Sequence, residues 1–428
     1  MSYNSWKNKI KPEKRKRTYK HIDNPYDLDS KKVFEKIVTT IKNIETHQFL
    51  PFIKRNKEYI RFRKDPNQEF PTKKKKTRKI MYASHKDAHI YSYYNFLISE
   101  YYKKFLEISN LSENIIAYRK VLNPNTNKGK NNIFFAKEVF DFLQNQQSCI
   151  VITDDIQHFF DELNHSFLKE KLAKICSVNK LDSKLFKVFK SLTSYKYIEY
   201  EDFIKNEKKI KSPQNRFSIY KTLNPFLKEN KTTKGIPQGS PISGVLANIY
   251  LIDFDLSIKK NFPDIFYRRY SDDLLFICKD KDKDSVISFV REQIKKSFLD
   301  INPSKSFISY FATDNDGSIE CKKVTDGNNK ELKNRNYFDY LGLEITGKKV
   351  FLRKKTLQVT RFKQIRKVKR QLRNTQKNKW KQVKPSKNNR HIGDYLKRVV
   401  GIFKDKSLSR QVLKVIKARN KTKKGKID

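Results

Sequence analysis

The spacing of apolar positions divides the chain into three stretches. From "DLDSKKVFEKIVTTIKNI" to about Leu143 the pattern is mostly helical. It is interrupted by "DPNQEFPTKKKKTRKIMY", which reads as a loop or hairpin crowded with cations. Between 148 and about 345 the elements alternate in type. "CIVITDD" reads as a buried strand, "FFDELNHSFLKEKLAKI" as an amphipathic helix and "SPISGVLANIYLIDFDLSIKK" as a long second helix. "IFYRRY" and "LLFIC" make a hairpin around Ser271–Asp273, and in "KDSVISFVREQIKKSFL" the residues Val286, Phe289, Val290 and Ile294 recur at helical spacing. The order strand, helix, helix, hairpin, helix predicts an α+β fold with a small antiparallel sheet backed by helices. Two polar, basic stretches, 195–232 and 312–336, read as insertions into it. Beyond Lys348 the pattern is helical again, with Ile392, Tyr395, Leu396, Val399, Val400 and Phe403 on one stripe. The first 20 residues carry eight basic side chains and one acid and read as a mobile basic arm.

Composition sharpens this picture. A length of 428 residues suits two or three domains, and 31 Phe and 22 Tyr compensate for an apolar fraction of only 37%. The formal net charge is +49, from 95 Lys and Arg against 46 Asp and Glu. A Lys-, Asn- and Ile-rich compositional bias explains part of that excess. The rest calls for a polyanionic partner, and nucleic acid is the leading candidate. From 348 to 428 there are 30 Lys and Arg against three Asp, a density that reads as a surface tracking phosphates. The four cysteines form no CxxC pair, so neither a zinc ribbon nor a redox motif is indicated, and a reducing cytoplasm fits. The amino terminus has no apolar signal-like core and no run of about 18 apolar residues occurs, so a soluble cytoplasmic protein without a membrane partner is expected.

The candidate chemistry lies in "FYRRYSDDLLFIC", where Asp272 and Asp273 sit at a hairpin tip. Alone, such a pair is an ordinary polar turn. The strand "CIVITDD" ends in a second pair, Asp154 and Asp155. Carboxylates at the ends of two strands can together hold two Mg²⁺ ions for an in-line phosphoryl displacement. Between them "TTKGIPQGSPISGVLANIYL" offers backbone amides and close approach, or simply a helix entry with Ser240 as N-cap and Pro241 at the first helical position. His158 and His165 have no ligand cluster around them, and Tyr91, Tyr93, Tyr94, Tyr101 and Tyr102 read as packing between helices.

Taken in order, these motifs resemble the reverse transcriptases, in particular the bacterial retron, group II intron and defence-associated branch. The resemblance covers roughly residues 70 to 345. "DIQHFFDELNH" resembles the first palm motif, "GIPQGSPISGVLANIYL" the template- and nucleotide-contacting motif, and "YSDD" the YxDD box. "LDINPSKSFIS", "FDYLGLEI", "KKKKTRKI" and "AYRK" resemble the pyrophosphate-side lysine motif, the primer-grip hairpin and two fingers motifs. The resemblance implies a right-hand polymerase with a basic arm at 1–29, fingers at 30–145, palm at 146–345 and a basic helical thumb at 346–428. It implies that Asp155, favoured over Asp154 by its spacing to Phe159 and Phe160, binds metal with Asp272, Asp273 and the Ile156 carbonyl. Lys305 would protonate the leaving pyrophosphate. Arg78, with Lys73 or Lys74, would grip the triphosphate, Phe160 would exclude a 2′-hydroxyl, and Gln238 and Gly239 would line the nucleotide. Tyr340, Leu341 and Gly342 would form the primer grip.

The implied function is RNA-directed DNA synthesis from deoxynucleoside triphosphates with two Mg²⁺, Mn²⁺ being able to substitute. The implied partners are an RNA template, expected to be a cognate structured noncoding RNA, and the DNA product, in antiviral defence. The sequence carries no HNH nuclease pattern, no maturase-type zinc cluster and no convincing retron signature. The alternatives are a retron enzyme, an untemplated or protein-primed polymerase of the same fold, and an inactive RNA-binding scaffold.

Overall fold

Strand-forming residues Cys149 to Ile152 make the middle of β3 (Ser148–Asp155), the central strand of an antiparallel five-stranded sheet. Its neighbours are β7 (Asp273–Cys278) and β8 (Phe307–Thr313), with β6 (Phe266–Tyr270) and β9 (Ile319–Asp326) at the edges. Side chains alternate across the sheet, and both faces are apolar. Ile150, Ile152, Leu274 and Phe276 join the main core beneath helices His165–Ile175, Ser243–Tyr250, Ile252–Asn261 and Lys283–Lys296. Val151, Leu275, Ile277 and Phe311 face a second core shared with helix Asn132–Gln144. That core also includes a small sheet of β10 (Phe338–Tyr340), β11 (Leu343–Ile345) and β12 (Val350–Leu352). The α+β arrangement is the one expected.

The computed structural model describes residues 3–10, 12–29, 34–63, 72–124, 126–211, 221–333, 335–353, 356–358, 366 and 401–403; the side chains of 12, 13, 41, 59–63 and 72–76 fall outside that description. Most of the segment expected as a thumb therefore lies outside the described residues, though Phe403 packs on Phe140, ring centroids 6.0 Å apart. Among the described residues no helix is long and apolar enough to cross a membrane.

The cationic stretch is a hairpin: β1 (Phe52–Arg63) pairs antiparallel with β2 (Thr72–Tyr82), which leads into helix His85–Ile108. Ser84 caps that helix, its hydroxyl accepting from the Asp87 amide. The stretch 195–232 interrupts the five-stranded sheet in sequence and helps to build a second one. Its strand β4 (Lys196–Glu199) pairs parallel with β1 and antiparallel with β5 (Lys228–Glu229), completing the sheet β2-β1-β4-β5. Ile198, Phe203, Ile210 and Leu223 from this stretch are buried with Ile22, Leu50 and Ile53. The basic composition hid a short apolar set that only a distant strand could complete. The stretch 312–336 likewise contributes β9, the fifth strand, with Ile319, Cys321 and Val324 buried.

The expectation of a mobile arm over the first 20 residues is overturned. Helix Tyr3–Lys9 docks through Tyr3 and Trp6, the latter 2% exposed. The Trp6 ring stacks on Phe34 at 5.7 Å and meets Tyr93 edge-on at 5.5 Å. Further along, the Tyr19 hydroxyl donates to the Ala83 carbonyl at 2.6 Å, and His85 bridges the Asp23 carboxylate and the Tyr19 carbonyl, both at 2.7 Å. Two aromatics among eight cations were enough to anchor the segment.

Both helices expected near the site are broken. The first divides into Phe159–Glu162 and His165–Ile175, because the Asn164 side chain caps a new start by accepting from the Phe167 amide. The second divides at Leu251 into Ser243–Tyr250 and Ile252–Asn261. It starts two residues beyond Pro241, with Ile242 at the N-cap position in place of Ser240.

Candidate active site

The geometry of the site follows from strand register. Asp155, the last residue of β3, lies directly opposite Asp273, the first of β7. Asp272 occupies the two-residue turn between β6 and β7. In that turn Ser271 has a φ of +63° and Asp272 does not, the pattern of a type II′ hairpin, in which glycine is usual. The buried Ser271 is therefore strained. The Ile156 amide donates to the Asp272 carbonyl at 2.9 Å, tying the end of β3 to the turn. Alternation sends Asp154 to the opposite face, where it is 6% exposed with its Oδ1 unpartnered, while Asp155 shares a face with Asp273. Lys305, in a short helical turn at Pro303–Lys305, forms an ion pair with Asp155.

The three acids repel one another. Burial and the Asp155 charge push the Asp272 carboxyl up. Asp273 is open to water at its tip, but enclosure by the surrounding protein and the charges of Asp272 and Asp155 push it up to about 7. Such a trio favours a bound cation. Among the described residues no group of three His, Cys, Asp or Glu closes into a ready-made metal cage. That donor set fits Mg²⁺, which takes one or two carboxylates and completes its shell with water and substrate phosphates.

Behind the turn lies a buried polar network. Arg269, fully buried, makes a two-pronged contact with Asp255 at 2.6 and 2.8 Å, and the Tyr267 hydroxyl donates to the same carboxylate at 2.6 Å. The Arg269 guanidinium also reaches the Asn248 side chain and the Ser271 carbonyl. Asn248 in turn donates to the Ala117 carbonyl at 2.8 Å. The turn at Ser271 and Asp272 is thereby fastened to helix Ser243–Tyr250 and to the loop carrying "AYRK". None of this pairing was legible in the sequence.

Beside the acids the loop 232–242 closes on the Phe159–Glu162 turn, with the Gly235 amide donating to Leu163 O and the Ile236 amide to Phe160 O, both at 2.9 Å. The Met81 amide of β2 donates to the Gln238 carbonyl at 2.8 Å. Gly239 has a φ of +115°, and a Cβ there would come within 2.9 Å of the Met81 carbonyl, so no other residue fits. These contacts enclose a cavity of about 320 Å³ lined by Ile80, Tyr118, Phe160, Gln238, Gly239 and Gly244, among others. Phe160, Gln238 and Gly239 were expected here, whereas Ile80, Tyr118 and Gly244 were not assigned. The acids stand next to this cavity and not in its lining, Ser271 meeting Tyr118 at its edge. A comparable cavity of about 300 Å³, lined by Lys322, Lys323 and Arg335, belongs to the 312–336 segment.

Arg78 is exposed on β2 opposite Lys57. The side chains of Lys73 and Lys74 lie outside the described residues. Leu341 and Gly342 form the turn between β10 and β11 with φ of +47° and +92°, the type I′ pattern, and the Asn132 side chain donates to the Leu341 carbonyl. Tyr340 beside them is buried.

A comparison with curated protein sequences gave no match. Among solved structures, an apo telomerase from Candida tropicalis, truncated from its C-terminal domain, is 13% identical with a TM-score of 0.34. That similarity covers 77% of this chain and 61% of that one, so the present chain spans about three fifths of the telomerase. A Candida albicans telomerase in complex with a fragment of telomeric RNA is also 13% identical, with a TM-score of 0.40 over 92% of this chain and 67% of that one. The family described as "Reverse transcriptase (RNA-dependent DNA polymerase)" matches residues 73–345. That span holds the five-stranded sheet, the three acids, the glycine loop and the small β10-β11 hairpin; the chain belongs to the reverse transcriptase family and has its right-hand polymerase fold.

Proposed function

We propose that this protein is an RNA-directed DNA polymerase that extends a primer 3′-hydroxyl with deoxynucleoside triphosphates. The observation that carries the reading is three carboxylates gathered where adjacent strands end, two of which, Asp272 and Asp273, are pushed up by burial and neighbouring charge, beside a cavity of nucleotide size. Asp155, Asp272 and Asp273, with the Ile156 carbonyl, would hold two Mg²⁺. Bound there, Mg²⁺ would lower the charge on the triphosphate and stabilise the attacking and leaving oxygens.

The chain's own residues do the rest. The turn at Ser271 and Asp272, held by Arg269, fixes the acids against their mutual repulsion. Phe160 takes the floor of the cavity under the sugar, and Gln238 and Gly239 line the base and backbone side. Arg78, with Lys73 or Lys74, reaches the triphosphate from β2. Lys305, which pairs with Asp155, would give its proton to the departing pyrophosphate. Tyr340, Leu341 and Gly342 hold the primer terminus.

The template is proposed to be a cognate structured noncoding RNA, held in part by the cationic segment 348–428. Antiviral defence and a cytoplasmic setting are proposed on motif resemblance and cysteine usage. The deciding experiment is incorporation of labelled deoxynucleotide with Mg²⁺ on an RNA template carrying a DNA primer. Product whose sequence copies the template supports the reading. Product formed equally well without template shows untemplated synthesis, and no product at all leaves an RNA-binding scaffold.

A further inference from the structure

Tyr118 occupies an unusual position for a residue that merely packs. Its φ is +55°, a left-handed conformation that is a genuine outlier for a bulky side chain. The ring is seated against Gly244, where a Cβ would come within 2.6 Å of it. The backbone on its amino-terminal side is fixed from the palm: the Asn248 side chain donates to the Ala117 carbonyl, and the Ile116 amide donates to the Arg269 carbonyl at 3.1 Å. Strain, a glycine seat and two anchors thus hold one ring in place, yet Tyr118 as a residue remains 53% exposed and lines the nucleotide cavity.

What the ring touches points to its use. It meets Phe160 edge-on, with centroids 6.2 Å apart and planes at 84°. Phe160 is flanked otherwise by Phe159, at 5.8 Å and 64°. The Ser271 hydroxyl, next to Asp272, lies 3.5 Å from the Tyr118 hydroxyl.

We propose that Tyr118 is a specificity-determining residue, whose ring backs Phe160 and sets how far Phe160 projects beneath the sugar. Exclusion of a 2′-hydroxyl is then the work of the pair. With the Tyr118 ring gone, Phe160 loses the ring on its cavity side, keeps Phe159 and the core behind it, and can pivot out of the cavity, admitting the extra oxygen. The Tyr118 hydroxyl is dispensable for this, because its contact with Ser271 is long. The inference rests on the polymerase reading above.

The test is single-nucleotide incorporation by full-length protein, comparing kcat/KM for a deoxynucleotide and the matching ribonucleotide. Tyr118→Ala is measured beside Tyr118→Asn, which adopts the left-handed backbone with less cost and guards against misfolding. In both, the ribonucleotide-to-deoxynucleotide ratio is expected to rise by about twofold to tenfold, the worth of one edge-to-face aromatic contact. Tyr118→Phe keeps the ring and should leave the ratio at the parent value. If both substitutions lower the two efficiencies together at a constant ratio, Tyr118 is a structural support and the inference fails. A Tyr118→Phe ratio that shifts as far as that of Tyr118→Ala would also overturn it, by placing the effect in the hydroxyl. Failure of the parent to incorporate either nucleotide would instead sink the polymerase reading, and the inference with it.

Discussion

Asp272 and Asp273 stand one residue apart in sequence, yet one sits in the turn and the other opens β7 opposite Asp155. Their shared burden is repulsion, so replacing both removes strain. Asp272→Ala combined with Asp273→Ala is expected to reduce nucleotide incorporation to background while the protein unfolds no earlier than its parent and still binds RNA. Incorporation assays paired with thermal unfolding check this, and undiminished synthesis by the double variant would remove the site assignment. At Phe160 the effect is one of shape. Phe160→Val should raise ribonucleotide use relative to deoxynucleotide by about tenfold or more, read as a ratio of kcat/KM values. A flat ratio with both activities reduced would make Phe160 a packing residue. The motifs made these residues legible because acids beside apolar strand residues are conspicuous. Tyr118 was not legible in the same way: nothing in "AYRK" announces a left-handed backbone or a glycine seat more than a hundred residues later.

Whole elements depend on pairings that the local pattern cannot reveal. Strands β3, β6 and β7 and helix Lys283–Lys296 were readable because each carries its own periodicity. The amino-terminal segment was misread because its anchoring uses single residues. Asp23 shows the strength of that anchoring. Burial opposes its ionisation, but the His21 ring, its Nδ1 3.4 Å away, and hydrogen bonds from the His85 ring and amide outweigh burial and hold the carboxyl well below the usual carboxylate range. A depressed folded-state value contributes stability above the unfolded value of about 3.9 and loses it as pH falls through that region toward the folded value. Asp23→Asn should therefore cost about 1.5–3 kcal/mol near neutral pH. The difference from the parent should shrink as pH drops below about 4. Denaturant unfolding of both proteins across that range measures the effect, and a difference independent of pH would mean that Asp23 acts by shape alone.

For the molecule as a whole, charge sets the partner and topology sets the body. Residues 348–428 carry 30 Lys and Arg against three Asp, the charge density on which the proposed RNA contact rests. Ending the chain after Asn388 is expected to abolish the dominant copurifying RNA while synthesis on a generic primer–template continues at least in part. Binding by the full chain should fall by orders of magnitude over a few-fold rise in salt. Random cellular RNA on the full-length protein, unchanged by truncation, would show that the segment is a nonspecific anchor. The parallel pairing of β1 with β4 has a consequence for how such a protein is made. Lys54 and Glu199, joined at 2.8 Å across that pairing, are 145 positions apart. A ribosome must therefore release β3 before the sheet β2-β1-β4-β5 can close, leaving the cationic hairpin of β1 and β2 without its inner neighbour throughout that interval. An emerging chain with this charge meets the cell's RNA before its own architecture is finished, so capture of a template and completion of the fold can overlap in time.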